Sequence, residues 1–570
     1  MAGSSVDSRN VAARLAPALA AACLLLLLLW NLGGAPLLEP DEGRYAEIPR
    51  EMLATGDFVT PHLNGVLYFE KPPLHYWLTA GAIRLLGLSE LSVRLWSALF
   101  GVAGIAVAWR LGRAVAGGRA GLLATLALGA SPLWVAIGHL ATLDMTVTFF
   151  LTATLAAFWL AHEAAGRRYA LVAWHLMFAS AALAVLTKGL IGIAIPGAVV
   201  FLYLLATGRW KVLRAVPWLT GVALFLAIAV PWHALAAARN PDFLWFYFVH
   251  EHLLRYATPI AERREPAWYF LAVVALGCAP WSGLFPSAVR LLPWRRWREG
   301  LAERPGETFL AIWAAFVVAF FSVSQSKLIP YVLPALPPLA VLVGVLVDRL
   351  WDGRLSPSRW ESAGLAVGGA LTALYGAAFV WAGLGKVARL GLGGVVSPGL
   401  LGPGIVVVAA GALVAAGALA RRWPRRLLAL FAAGCCAAAA VQALAPLVAR
   451  ERSSKAVAER VRAELRPGDL VFAHRCFPES LPVYLGRTVG VAAYEGELAF
   501  GISHLGRAEK AERFPTAGEF RALWESDRRV LAVAEAGRWS RRFAEDGITH
   551  ARLLWEGEGL ALLSNDRPAD

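Results

Sequence analysis

The sequence predicts an integral membrane bundle of about thirteen α-helices followed by a soluble C-terminal α/β domain, and three observations carry that prediction. The first is composition. Of 570 residues, 58% are apolar and only 16% charged, with a mean hydropathy of +0.56, which no ordinary water-soluble domain could accommodate. The second is run length. Apolar runs of about 18 to 24 residues, enough to cross roughly 30 Å of hydrocarbon, recur as far as about residue 448. They are too long for barrel strands, and a helix satisfies every backbone polar group inside the bilayer. The third is a change of pattern after residue 449, where helix-like SSKAVAERVRAEL gives way after RPGD to strand-like LVFAH, and FRALWES to RRVLAVAE.

Spans are expected near 12–32, 91–112, 119–136, 141–161, 169–187, 189–207, 214–236, 268–290, 306–325, 328–350, 361–384, 401–420 and 427–448. The first resembles a secretory signal, with Arg9 and Arg14 before a Leu-rich core, but no small-x-small cleavage site follows, so it reads as a retained anchor. Alternate loops collect the basic residues: Arg110, Arg113 and Arg119; Arg167 and Arg168; Arg209, Lys211 and Arg214; Arg290, Arg295, Arg296 and Arg298; Arg349, Arg354 and Arg359; Arg421, Arg422, Arg425 and Arg426. Short cytoplasmic loops carry such an excess. The N-terminus is therefore expected in the cytoplasm, and an odd span count sends the domain at 449–570 to the outer side, together with a long first loop at 33–90.

A net charge of +14 could suggest a nucleic-acid partner. From Arg450 onward, however, nineteen basic residues balance nineteen acidic ones, so the excess belongs to the membrane part. It is a topology signal, and no nucleic-acid partner is expected. Four of the five cysteines lie in apolar runs and only Cys476 falls in the outer domain, which leaves neither a disulfide there nor a CxxC site. The outer domain has no Gly-rich phosphate loop, and the plain reading is a domain that braces or covers the membrane face.

The first outer loop carries more chemistry. Directly after the first span comes EPDEGRYAEIPREM, with five carboxylates in fourteen residues. Pro40 suits a helix start, placing Asp41 and Glu42 in a first turn where carboxylates meet exposed amides. Pro49 is expected to break or kink that helix after barely two turns, and Glu39, Glu47 and Glu51 are expected to be solvated. Further on, PPLHYWLTAGAIRLLG is apolar but too short to span, so it should lie along the membrane surface.

Polar residues that are unusual near a membrane gather on the outer side. They are Asp41 and Glu42, Glu70 and Lys71 in YFEKPP, Asp144 in HLATLDM, Lys188 in LTKG, His250 to Arg255 in HEHLLR, and Lys327 with Tyr331 in SKLIPY. A shared site at that interface avoids burying charge at the bilayer centre. Cations there suit a phosphate, and carboxylates suit a proton, a metal or sugar hydroxyls, so the group points to a lipid-linked phosphate or sugar. Each member also has a plain structural reading. Asp41 and Glu42 can be a solvated helix start, the three lysines can snorkel to headgroups, and Arg255 can pair with Glu251 one helical turn away. Asp144 resists such a reading because the run MTVTFFLTATLAAFWL follows it directly.

The segment EPDEGRYAEIPREMLATGDFVTPHLNGVLYFEKPPLHYW resembles the signature of the aminoarabinose transferase family, membrane glycosyltransferases of the GT-C class that modify lipid A. The similarity continues through ATLDM, LTKGLIG, FVHEHLLRY and SKLIPYVLPALPPLA, to about residue 350. The resemblance implies a GT-C membrane domain over 1–448, a periplasmic α/β domain after it, and residence in the bacterial inner membrane. It implies transfer of 4-amino-4-deoxy-L-arabinose from undecaprenyl phosphate to lipid A, with polymyxin resistance as the associated phenotype. Matched motif by motif, Asp41 becomes the essential first-loop acid, Asp144 a second carboxylate and Glu42 an assistant. Lys71, Arg255 and Tyr331 hold the carrier phosphate, while Lys188 and Lys327 line the site. Glu70 and His250 match positions associated with a bound zinc ion, a thin shell of two protein ligands; no nucleotide is implied, since the sugar arrives activated on its lipid. Another lipid-linked sugar with a protein or glycan acceptor stays open. A transporter or flippase would instead place ionisable groups near the midplane and often show an internal repeat, and a noncatalytic scaffold would tolerate loss of Asp41 and Asp144.

Overall fold

The computed structural model describes residues 8–164, 168–254, 265–293, 297–385, 398–419 and 422–566. The first half runs through α1 (Ser8–Leu29), α2 (Asp41–Thr55), α3 (Leu74–Leu86), α4 (Glu90–Ala116), α5 (Gly118–Gly129), α6 (Pro132–Gly138), α7 (Leu143–Glu163), α8 (Arg168–Lys188) and α9 (Ile191–Thr207). Among the described residues, nine helices are long and apolar enough to cross a membrane, or up to eleven spans if each of two bent pairs counts as one. The remaining two expected spans, 12–32 and 189–207, are met by shorter apolar helices, Pro17–Leu29 within α1, and α9.

The two bent pairs have a local cause. The expected span 119–136 divides into α5 and α6 at an angle of 66°, where Pro132 removes a backbone donor and holds Ser131 extended at φ −80°, ψ 122°. The expected span 268–290 divides into Tyr269–Gly277 and Trp281–Leu291 at 113°, with Pro280 in the break.

At one end of the bundle, loops expected on the same side are tied by ion pairs. Arg119 meets Asp348 at 2.5 Å, Arg354 also bonds Asp348, Arg349 bonds Glu307, and Arg290 bonds Glu361. At the other end lie the first loop and the C-terminal α/β unit. After the helix Trp423–Glu451, a five-stranded sheet forms from β3 (Leu470–His474), β4 (Gly490–Ala492), β5 (Val530–Glu535), β6 (Arg552–Gly557) and β7 (Leu560–Ser564); β1 (His62–Leu63) and β2 (Val66–Leu67) make a hairpin in the first loop. The sheet order is β4-β3-β5-β7-β6, parallel across β4, β3 and β5 and antiparallel across β5, β7 and β6.

The first loop and the C-terminal unit share one core. Tyr45, Ile48 and Met52 of α2 pack with Val66 of the hairpin and with Val461, Leu481, Leu498 and Ile502, more than 390 residues later. That packing explains why α2 continues through Pro49 to Thr55 and does not end there. Proline removes one intrahelical bond, and burial of the flanking turns outweighs the loss. Gly43 marks the closest approach: a Cβ there would stand 2.3 Å from the backbone nitrogen of Ser480.

Candidate functional site

Six segments, Glu70–Lys71 among them, bring their polar side chains to the end of the bundle that carries the first loop and the C-terminal unit. Asp41 opens α2, Asp144 lies in the first turn of α7, and Lys188 is the last residue of α8. The π-helical segment Trp245–Leu254 carries His250 and Glu251, and Ser324 to Tyr331 joins two spans. A small cavity of about 130 Å³ lies between them, lined by Glu70, Lys71, Lys188, Glu251, Ser324, Ser326 and Tyr331, with Ile191, Phe320 and Phe321 as its apolar wall.

Carboxylates hold the cations of this cavity in place. Lys188 Nζ is 2.5 Å from Asp144 Oδ1 and sits 4.6 Å over the Tyr331 ring. Lys71 Nζ is 3.3 Å from Glu251 Oε2 and 3.8 Å from Glu70 Oε2, and it donates to the Glu70 carbonyl at 2.8 Å. Lys327 is buried and donates to the Ser324 carbonyl at 2.7 Å. Asp41 does not line the cavity. Its carboxylate is 49% exposed, 3.4 Å from Arg44, and within electrostatic range of Lys188. Arg255 lies outside the described residues.

The remaining acids of the first loop are not solvated, because the C-terminal unit and the bundle close over them. Glu42 is buried and grips Arg94 through both oxygens, at 2.7 and 2.6 Å, while accepting from the backbone of Leu38 and Ala141. It is thereby engaged on the bundle side of α2. Glu47 is buried in a fork-to-fork pair with Arg50. Glu51 accepts the Gly65 amide on both oxygens at 3.0 Å, and burial, followed by the Glu47 charge, pushes its carboxyl up to about 8. Glu39 accepts from the Ser480 amide at 2.9 Å and faces Glu479, and burial raises both carboxyls above the usual range.

Arg44, Glu497 and His75 were not singled out by sequence pattern, and Glu251 was read only as a partner for Arg255. Arg44 ties Asp41 to the C-terminal unit, with Glu497 at 2.6 Å and Glu479 at 3.9 Å, beneath the rings of Tyr45 and Tyr68. Its spacing from Asp41 was readable as a helical i,i+3 pair. Glu497, some 450 positions away, left no signal. Glu251 meets Lys71 and not a helical neighbour alone, and the aromatic stack Phe246–Phe500 at 4.0 Å presses its segment against the C-terminal unit. Behind Asp144, His75 bonds Thr146 at 3.1 Å, and burial lowers its imidazole to about 4, so it is neutral.

Zinc finds few ligands here. His250 Nδ1 is 3.2 Å from Glu251 Oε1, and Glu70 lies beside the Lys71 ammonium. Among the described residues no three His, Cys, Asp or Glu side chains converge, fewer than the three or four protein ligands of a zinc site. The donor set does not fit the ion, and no step is assigned to it.

Two family models match parts of the chain: dolichyl-phosphate-mannose-protein mannosyltransferase over residues 70–235, and aminoarabinose transferase C-terminal domain over residues 457–554. The undecaprenyl phosphate-alpha-4-amino-4-deoxy-L-arabinose arabinosyl transferase of Pectobacterium carotovorum is 32% identical over 539 residues, 89% of this chain and 90% of that protein. The chain belongs to the aminoarabinose transferase family. A second aminoarabinose transferase so named, from Edwardsiella ictaluri, is 35% identical over 331 residues, and there the match spans 58% of this chain and 59% of the relative. A solved aminoarabinose transferase, ArnT from Cupriavidus metallidurans bound to undecaprenyl phosphate, superposes with a TM-score of 0.82 at 32% identity, covering 97% of this chain and 98% of that one. Like that structure, this aminoarabinose transferase family member is a multi-pass membrane protein with a C-terminal sheet-containing domain.

Proposed function

We propose that the chain is an inverting glycosyltransferase that moves 4-amino-4-deoxy-L-arabinose from undecaprenyl phosphate to a lipid A phosphate, at the periplasmic face of the bacterial inner membrane. The observation that carries the reading is the convergence of Lys71, Lys188 and Tyr331 on one cavity at one end of the bundle, in a chain whose relatives are named for that donor. The N-terminus is cytoplasmic and the C-terminal domain periplasmic, as the basic loops require.

The leaving group is the carrier phosphate, on which negative charge grows as the bond to the anomeric carbon breaks. Lys71, Lys188 and Tyr331, with Lys327 and Arg255, hold that phosphate and stabilise the charge in the transition state. Asp144 acts by holding Lys188 over Tyr331, and Glu251 does the same for Lys71. The acceptor phosphate is already an anion at neutral pH and needs no base, so Asp41 orients the donor by pairing with its amino group. The acceptor attacks from the face opposite the leaving phosphate, which inverts the anomeric centre. Glu42, locked on Arg94, fixes the first turn of α2 and touches no substrate.

Mass spectrometry of lipid A with and without the active gene product tests the reading. A phosphate-linked aminopentose should appear with the intact protein and fall by roughly 100-fold with a folded Asp41→Asn protein, the cost of a misplaced donor. Near-normal transfer by that variant would sink the role given to Asp41, and absence of the aminopentose with the intact protein would sink the function.

A further inference from the structure

The C-terminal unit sends one short segment back toward the phosphate cavity. After the turn Gly496–Leu498 comes a single helical turn, Ala499–Ser503. Leu498 and Ile502 are buried in the core shared with the first loop, and a Cβ on Gly501 would stand 2.5 Å from the Leu67 carbonyl oxygen, so the segment lies directly on β2. Phe500, two residues from each of those core side chains, projects away from that core and packs among aromatic rings of two other segments.

Phe500 stacks on Phe246 at 4.0 Å and 26°, and meets Phe69 edge-on at 6.0 Å and 73°. Each contact is one step from the charged groups of the cavity. Phe69 is followed directly by Glu70 and Lys71, while Phe246 stacks in turn on His250 at 5.0 Å and 10°, whose Nδ1 is 3.2 Å from Glu251 Oε1. Lys71 and Glu251 lie 180 residues apart in the chain and meet at 3.3 Å, and the Phe500 ring touches the segments of both. A second tie runs from His504 Nε2 to Asp242 Oδ2 at 3.1 Å, but Asp242 is 69% exposed, and an ion pair in water contributes little. The rings therefore carry the contact, through a geometry that an aliphatic side chain does not reproduce.

We propose that Phe500 is a positioning residue for the donor: wedged between Phe69 and Phe246, it sets how Lys71 and Glu251 face each other, and with that the seat of the carrier phosphate. The C-terminal unit thereby takes part in donor binding without touching the lipid. The proposal rests on the transfer reaction proposed above, in which Lys71 holds the leaving phosphate.

Purified full-length protein in detergent would be measured twice, for binding of undecaprenyl phosphate and for transfer from undecaprenyl-phosphate-linked aminoarabinose to lipid A. Phe500→Ala should weaken carrier binding and raise donor KM about tenfold, inside the roughly hundredfold that a displacement of about 1 Å can cost, with acceptor KM unchanged. Phe500→Tyr keeps the ring and should behave as the unsubstituted protein. Phe500→Leu keeps bulk without stacking; it should show a smaller rise in donor KM and takes the place of Phe500→Ala if that variant does not fold. In a Lys71→Ala background, removal of the ring should change donor KM by less than about twofold, because residues that act through one another are not additive. A lower Tm with donor KM and carrier binding unmoved overturns the proposal, as does a tenfold effect that persists in the Lys71→Ala background. Absence of transfer by an unsubstituted protein that still binds the carrier would instead refute the proposed function, and the binding measurement alone then decides the role of Phe500.

Discussion

Asp41 and Glu42 are consecutive acids about 100° apart on a helix, and that angle separates their environments. Glu42 is closed on Arg94, whereas Asp41 stays half exposed within reach of Lys188. Sequence placed both at the helix start but had no means to tell them apart, because the difference lies in Arg94, fifty-two residues on. Lys71 and Glu70 were legible from YFEKPP; the pairing of Lys71 with Glu251 was not, since Glu251 comes 180 residues later, from the segment Trp245–Leu254. Lys71→Ala should raise the apparent KM for the lipid-linked donor roughly 10- to 100-fold, the loss of a charge-assisted contact of about 1.5–3 kcal/mol. An unchanged donor KM in a titrated transfer assay would remove Lys71 from the phosphate site.

At the scale of elements, α2 lies between the membrane bundle and the C-terminal unit and is held from both sides. Glu497 reaches Asp41 through Arg44, so Glu497→Gln should lower kcat about tenfold with donor KM unchanged, the cost of weakening one charge-assisted hydrogen bond by about 1.5 kcal/mol. Glu497→Asp should restore part of it, and Glu509→Gln, at an exposed pair with Arg513, should change nothing. Glu51 supplies a pH dependence. Its folded carboxyl titrates near 8 against an ordinary 4.5, so the folded state keeps a proton that the unfolded chain releases, and stability falls as pH rises between those values. Glu51→Gln should therefore raise Tm at pH 8.5 and leave it nearly unchanged at pH 4, read by thermal unfolding in detergent; equal shifts at both pH values would contradict this. The helix itself was readable from Pro40 and the acids after it. Its passage through Pro49 was not, because the packing that sustains it comes from residues 457–502.

For the whole molecule, hydropathy and basic loops were enough to find the bundle, its two ends and the soluble α/β unit. Of the thirteen expected spans, up to eleven have full length among the described residues, and run length could not see the bends at Pro132 and Pro280. The polar cluster was legible as a side of the membrane, and the pairing within it became visible only when distant spans met. Orientation has a direct test at this scale. A cysteine in place of exposed Ser526 should react with an impermeant maleimide in cells with a permeabilised outer membrane, and one in place of Lys211 only after lysis; the reverse pattern would invert the topology.

Glu39 finds its partner in Ser480, 441 positions later. A ribosome must therefore make nearly the whole protein before the acids of the first loop can be enclosed, since synthesis proceeds from the N-terminus. A premature stop after residue 452 would leave every residue of the phosphate cavity encoded and still yield an inactive product, its early helix standing open in water.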